Sequence, residues 1–236
     1  FGLGRIGQMH AENLVNHLHD ECWRVLRNDG NFFLELGDSF IDGCLQNIPH
    51  RVSIELSKRG WIQRNSIIVK RKNPKPSSSK SNLTPSYSML FHFVKSLDYN
   101  YQRTLTKISS STKPSHPPRH RIVDGQTIRN TSPYIPYQEG KNIGDFLDHD
   151  IMTVAVANQK YSSKIEHPAT FPQQLVWLII NSTVHLPFIG KQYSPTVLDP
   201  FAGALGTYKG IQWFNSNFDS NIQFVGYDIK CWFDAG

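Results

Sequence analysis

Long apolar runs are missing from this sequence. No stretch is hydrophobic for long enough to span a bilayer, and no signal-peptide pattern is visible, so a cytoplasmic protein without a membrane partner is expected. Cysteine is scarce too. Cys22, Cys44 and Cys231 show neither paired nor zinc-type spacing, which argues against a disulfide framework and reads as thiols in a reducing compartment. The ten histidines are scattered, His116 and His120 in a Pro-rich loop, and no metal site is expected. Acidic residues thin out in two places. Between Arg51 and Lys80 nine cations meet only Glu55, and between Lys95 and Arg129 seven cations meet only Asp98 and Asp124. Such stretches suit a polyanion such as DNA, and equally describe an ordinary solvated basic face.

What is present suffices for one or two domains with a sizeable core. Met9, Leu14, Val15, Leu18, Cys22, Val25 and Leu26 recur at helical spacing until Asn28-Asp29-Gly30 stops the run. Asn31 to Leu36 reads as a buried strand. Pro49 opens a second helix with Val52 and Leu56 on one face and Gly60 at its end. Ile62 to Val69 and Met89 to Val94 read as strands around a polar Pro/Ser/Lys loop. Periodicity then fades from about Leu97 to Ser163. It returns with Thr170 and Gln173 in a capping-box pattern, ahead of Leu175, Val176, Leu178, Ile179 and Ile180 on a buried helix. Thr196 to Leu198 and Gln223 to Gly226 complete the strands. Gly210 and the polar Asn215 to Ser220 between them predict a poor helix.

The C-terminal region carries the most specific signal. Val197-Leu198-Asp199-Pro200-Phe201-Ala202-Gly203 leads into Gly206-Thr207, and Phe224-Val225-Gly226-Tyr227-Asp228 follows. A strand running into a glycine-bearing turn, then a second strand ending on an acid, is the pattern of a dinucleotide-type fold. The string Asp-Pro-Phe-x-Gly resembles the S-adenosylmethionine-binding motif of the amino-DNA methyltransferases. Five further blocks resemble that family in order: Arg24-Val25-Leu26-Arg27 with Asn28-Asp29-Gly30; Phe32-Phe33-Leu34-Glu35-Leu36 with Gly37-Asp38-Ser39-Phe40; Gly60-Trp61 through Arg64-Asn65 to Lys70, with Asn73-Pro74-Lys75-Pro76; Tyr87 with Leu90-Phe91-His92-Phe93-Val94-Lys95-Ser96; and His167-Pro168-Ala169-Thr170-Phe171-Pro172.

The resemblance implies an α/β, Rossmann-like methyltransferase fold with circularly permuted motif order, the beta-type arrangement. Its regions would be a catalytic-region half at 1–96, a target-recognition insertion at 97–163 and a cofactor-binding region at 164–236. It implies methyl transfer from S-adenosylmethionine to an exocyclic amine of double-stranded DNA, cytosine N4 ahead of adenine N6. The cofactor residues would be Asp199, Pro200, Phe201, Gly203, Gly206, Thr207 and Asp228, bordered by Phe171 and Pro172. The base pocket and DNA contacts would draw on Asp38, Ser39, Arg64, Asn65, Lys70, Asn73 and Pro74. Read from the residues alone, Asp199 is equally a helix cap, Asp228 and Asp38 turn acids, and Asn73-Pro74 a surface turn.

Two features depart from the family pattern. The catalytic Ser/Asp/Asn-Pro-Pro-Tyr/Phe run does not occur in this chain, so the catalytic residues are unknown, and Gly203-Ala204-Leu205-Gly206 has one residue more than the usual Gly-x-Gly. The catalytic run belongs on a strand between the Asp199 strand and the Gly37-Asp38 strand. The expectation is therefore an incomplete fold, a fragment whose sheet needs a missing segment or a second chain. The rival reading is a non-catalytic, degenerate DNA-binding remnant or partner half. A nicotinamide-nucleotide dehydrogenase fits poorly, because Phe1-Gly2-Leu3-Gly4 has no preceding strand and no third glycine.

Overall fold

The computed structural model describes residues 8–71, 74, 76–78, 80–106, 120–123, 126–129, 141–147, 173–184, 194–203 and 205–228. Of the residues singled out above, Phe1 to Gly4, Asn73, Lys75, His116, Asp124, His167 to Pro172, Ala204 and Cys231 lie outside these. The chain divides into two compact units, one of residues 1–102 with 145–236 and one of residues 103–144.

The larger unit begins with helix α1 (Gln8–Val25) and strand β1 (Asn31–Leu36). Leu26 N–H still donates to the Cys22 carbonyl, and the chain then turns at Gly30, where a Cβ would come 2.8 Å from Leu26 Cδ1. Lys95 Nζ donates to the Leu26 carbonyl, placing a cation at the helix's negative end. Val25 proves exposed, while Cys22, Trp23 and Leu26 pack against the core, so Val25 lies off the apolar stripe. A short hairpin, β2 (Phe40–Ile41) and β3 (Cys44–Leu45), leads to α2 (Ile48–Lys58). Pro49 sits in the first turn of α2, as its fixed φ favours. Gly60 lies just past the C-cap Arg59 with φ +102°, so a side chain there would be strained. Trp61 N–H closes the helix end onto the Leu56 carbonyl, and its ring is buried.

Strands β4 (Ile62–Lys70) and β5 (Tyr87–Val94) follow. β5 pairs antiparallel with β1 on one side and β4 on the other, which makes β1 and β4 parallel. β10 (Phe146–Leu147) adds to β4, giving the order β1-β5-β4-β10. β5 is buried at every position after Tyr87, as a central strand should be. On one face Leu34, Leu36, Met89, Phe91 and Phe93 meet Val15, Ile48, Val52 and Leu56 from the two helices.

The rest of this unit is helix α3 (Gln173–Thr183), strand β11 (Thr196–Asp199), helix α4 (Gly206–Phe218) and strand β12 (Gln223–Gly226). β11 and β12 are parallel, with α4 as the crossover that parallel pairing requires. Among the described residues they form a sheet of their own, so the strand ends at Leu36 and Asp199 belong to different sheets there. Of the five apolar residues expected inside α3, four are buried and Ile179 is half-buried. The poor helix expected around Gly210 is instead a 13-residue helix. Tertiary contact overrides propensity there. A Cβ on Gly210 would lie 2.7 Å from Val176 Cβ, so glycine lets α4 meet α3 at close range. The polar tail also has a task. Asn215 Oδ1 accepts from Ser220 Oγ and Ile222 N–H, and its Nδ2 donates to the Ile222 carbonyl, turning the chain into β12.

Among the described residues of the smaller unit there are two strand pairs. β6 (Leu105–Thr106) pairs with β9 (Lys141–Asn142), and β7 (His120–Val123) with β8 (Gln126–Arg129), all antiparallel. It falls inside the 97–163 stretch where helical and strand periodicity fade.

Candidate cofactor and base site

The turn after β11 is tied together by two carboxylates. Asp199 Oδ1 accepts from Phe201 N–H at 3.0 Å and Oδ2 from Thr207 Oγ1 at 2.6 Å. Asp228 Oδ2 accepts from Gly203 N–H at 2.9 Å. Backbone bonds from Ala202 to Tyr227 and from Tyr227 to Asp199 continue the β11–β12 ladder past the strand ends. Seven expected cofactor residues (Asp199, Pro200, Phe201, Gly203, Gly206, Thr207 and Asp228) are thereby gathered at one strand-end turn. Asp199 shapes the turn as an Asx-type acceptor, while the N-cap of α4 is Leu205, in left-handed backbone at φ 58°. Gly203 is also left-handed at φ 46°, a conformation that costs glycine little and strains leucine. Gly226 is needed for packing, since a Cβ there would meet the Phe224 ring at 2.7 Å and Ala202 Cβ at 3.1 Å.

This donor and acceptor set fits S-adenosylmethionine. The Asp228 carboxylate is exposed at a strand end and suits a ribose diol, and the Phe201 ring is 47% exposed and free to lie against adenine. Asp199 offers negative charge for an ammonium group.

The expected base-pocket residues do not form one cluster. Leu36 pairs with Met89 and Met89 with Ile68, so Asp38 and Ser39 leave the sheet at the same end as Lys70. Asp38 Oδ1 accepts from Ser39 N–H and from Ile48 N–H, fastening the β2–β3 hairpin to the start of α2. Arg64 and Asn65 lie near the other end of β4, roughly 20 Å along the strand from Lys70. The ladder slips between Gln63 and Asn65, which makes Arg64 the bulged residue. Its Nε donates to Tyr99 Oη at 2.9 Å, with the guanidinium 5.4 Å from that ring. Pro74 is half-buried. Among the cations of the 51–80 stretch, Lys58 and Arg59 both reach Glu55, so part of that basic charge is spent within α2.

Three groups at the exit of β1 were missed by sequence reasoning. Glu35 Oε1 accepts from Ser88 Oγ, while Oε2 is enclosed and has no partner among the described residues. Burial pushes its carboxyl above the usual range, although the Ser88 bond and the Arg71 charge pull the other way. A Cβ added to Gly37 would lie 2.9 Å from an Arg71 terminal nitrogen, so the guanidinium rests over that glycine. The available signal was one acid inside the otherwise apolar Phe32 to Leu36 run.

At the far end of the sheet His92 is almost fully buried, stacked on Phe33 at 4.5 Å and 6°. Its Nε2 lies 2.8 Å from Asn31 Oδ1, and because Asn31 Nδ2 already donates to the Asn100 carbonyl, the imidazole is the donor. Burial, and then the Arg64 charge, push its pKa down to about 4. Among the described residues no group of three or more His, Cys, Asp or Glu side chains could hold a metal ion, and no helix is long and apolar enough to cross a membrane.

The DNA methylase family of the N6/N4 type matches residues 11–230. The type II methyltransferase M.SmaI of Serratia marcescens is 25% identical over 169 residues, 56% of this chain and 56% of that protein. M.SfiI of Streptomyces fimbriatus is 28% identical over 120 residues, 44% of this chain and 28% of that protein. The chain thus spans about half the length, or less, of these curated relatives. Among solved structures, the cytosine-N4-specific PvuII DNA methyltransferase aligns with a TM-score of 0.57 at 16% identity, over 98% of this chain and 72% of that one. The M1.HpyAVI–SAM complex aligns at 0.53 and 13% identity, over 93% and 77%. With a family match over nearly its whole length and the same architecture in both solved neighbours, this chain belongs to the N6/N4 DNA methylase family and has its Rossmann-like methyltransferase fold.

Proposed function

We propose that this chain is part of an S-adenosylmethionine-dependent DNA methyltransferase that modifies an exocyclic base amine, cytosine N4 in preference to adenine N6. The observation that carries the reading is the β11–β12 turn, where Asp199, Asp228, the Gly203 backbone and the exposed Phe201 ring converge. When bound, the cofactor supplies an electrophilic methyl group. The chain's own residues then have defined tasks. Asp228 accepts from the ribose hydroxyls, Phe201 stacks on the adenine, and Asp199 holds the turn while facing the methionine ammonium. At the other strand end Asp38 holds Ser39 and the hairpin in place, with Lys70 at the same end of the sheet to meet DNA phosphate. Asn73, Pro74, Phe171 and Pro172 keep the bordering roles their motifs imply. Arg64 and Asn65, at the far end of the sheet, fit backbone contacts outside the base pocket. The target amine is conjugated with its ring and needs hydrogen-bond acceptors to become nucleophilic, the task of the Pro-Pro run that this chain does not contain. Cytosine is preferred because the Gly37-Asp38-Ser39 and Arg64-Asn65 blocks together resemble the cytosine-N4 group.

The test is calorimetry with S-adenosylmethionine, followed by incubation with duplex DNA and mass spectrometry of the nucleosides. Saturable binding and N4-methylcytosine support the reading. N6-methyladenine corrects the target base. Leu205 favours a second reading, a degenerate DNA-binding member. An extra, left-handed residue sits at the turn where backbone meets cofactor. Binding to DNA without any saturable heat from S-adenosylmethionine would establish it.

A further inference from the structure

Hairpin β2–β3 departs from the usual pattern of a strand pair. Its register sets Phe40 opposite Leu45 and Ile41 opposite Cys44, so one pair lies on each face. Both faces are therefore apolar, and both meet solvent: Phe40 is 39% exposed, Ile41 40% and Leu45 46%, and Cys44 is exposed as well. A hairpin that serves only the fold buries one face, and a strand pair packed on neither is marginal in water. This one is held in shape at its base and at its tip. Asp38 Oδ1 accepts from Ser39 N–H and Ile48 N–H, Gln46 N–H donates to the Ser39 carbonyl, and Gln46 Nε2 donates to the Cys44 carbonyl. At the tip Asp42 and Gly43 have φ +50° and +77°, the two left-handed residues that a tight two-residue turn requires. The result is a stiff apolar prong beyond the end of β1.

The surroundings identify what the prong meets. Lys70 lies at the same end of the sheet, and a Cβ added to Gly37, at the hairpin's root, would lie 2.9 Å from an Arg71 terminal nitrogen. On the other side α2 opens at Ile48 with no acid in its first turn, so the positive end of its dipole adds to those cations. Asp42 is the one acid among residues 40–45. An apolar projection rooted in positive charge suits duplex DNA, whose phosphates meet the root while its stacked bases meet the tip.

We propose that the β2–β3 hairpin is a wedge that enters duplex DNA next to the target base and takes the place that the extruded base leaves in the stack. The inference rests on the methyltransferase reading above and deepens it, since a base amine inside a duplex is reached only by turning its nucleotide out. Extrusion breaks stacking on both neighbouring pairs, and an apolar group set into the gap returns part of that contact. Phe40 and Leu45 on one face and Ile41 on the other supply apolar surface for both neighbours. Asp38 and Ser39, expected at the base pocket, directly precede Phe40, so pocket and wedge share one strand end.

The test measures DNA binding, which needs no methyl transfer. Fluorescence anisotropy compares a pool of random-sequence duplexes with the same pool carrying one abasic site per duplex, over a range of salt. The proteins are the wild type, the double variant Phe40→Ser with Leu45→Ser, Phe40→Trp and Lys70→Ala, each also characterised by Tm and sedimentation. A wedge prefers the abasic duplex, where the gap is already open, by about 10-fold or more in Kd. The double serine variant should lose that preference with salt slope and Tm unchanged, because both side chains are exposed. Phe40→Trp should keep it, and the added indole fluorescence should be quenched on the abasic duplex by stacking. Lys70→Ala should weaken binding to both duplexes alike and lower the salt slope by about 1. The proposal is overturned if the double serine variant keeps the preference. It is also overturned if that variant changes only the sedimentation, which would mark a contact between copies, or if Tm and binding to both duplexes fall together, which would mark a packed part of the fold. A wild type that binds DNA without preferring the abasic duplex removes this inference alone. A wild type that binds neither duplex removes the underlying reading as well.

Discussion

In the four-stranded sheet, side chains meeting across strands and helices do most of the work; in the β11–α4–β12 element, polar groups tie loop to loop. The first region encloses Phe91, Phe93, Leu56 and Trp61 against two helices. Its strand ends at Gly37-Asp38 are shaped by a single carboxylate. The second has a smaller core of Val176, Ile180, Ile211, Phe214 and Ile222, and its turns depend on Asp199, Asp228 and Asn215. A rigid apolar platform and a polar, hydrogen-bonded turn suit different duties. The platform holds geometry, and the turn has acceptors placed for a ligand to meet.

The largest expected effect tests the platform. Phe93 is fully buried, so Phe93→Ala should cost about 3–5 kcal/mol of unfolding free energy by denaturant titration. A cost under about 1 kcal/mol, the range of surface changes, would show that the sheet is not held as described.

Acid probes the same region through His92. Its folded pKa near 4 lies below the ordinary value of 6.5, so the unfolded chain takes up a proton that the folded ring refuses. Stability contributed by the neutral ring is complete above pH 6.5 and is lost as pH falls to 4, at about 1.4 kcal/mol per pH unit, or about 3 kcal/mol overall. Urea midpoints between pH 7 and 4 should show this slope, and His92→Gln should flatten it. An unchanged slope in that variant would assign the acid sensitivity to another group.

Close approach governs the second region. Gly210→Ala should destabilise by about 1–3 kcal/mol through overpacking on Val176, and adding Val176→Ala should recover most of the loss. Simple additivity of the two costs would mean that α3 and α4 do not meet there. The smallest effect is expected at Leu205, where Leu205→Gly relieves left-handed strain. Stability should rise by about 1 kcal/mol or less, and S-adenosylmethionine affinity should rise with it. A loss of affinity would show that the leucine side chain itself is needed at the turn.

Much of the fold could be read in advance. Periodicity and punctuation located α1, α2, β1, β4, β5, β11 and β12, because a buried face leaves an apolar pattern at period 3.6 or 2, but not β10, whose two residues are too few to show one. The misreading of α4 came from scoring Gly210 and Asn215 as local residues. Their value lies in partners, Val176 and Ile222, that no local window contains. The candidate site was half legible for the same reason. Asp199, Gly203 and Asp228 announce themselves as turn residues after apolar strands. Glu35 does not, because its enclosure depends on Ser88, which lies 53 positions away.

By itself the sequence determined the family, the order of its blocks and which strand ends carry glycine and acid, since those are properties of residue type and spacing. Only the tertiary structure decided that Arg64 and Asn65 stand at the opposite end of the sheet from Asp38, Ser39 and Lys70. It also joined Asp228 to Gly203 and set Glu35 against Ser88. The physical reason is register. Parallel and antiparallel pairing assign each residue to one face and one end of the sheet, and pairing is made between segments far apart in the chain.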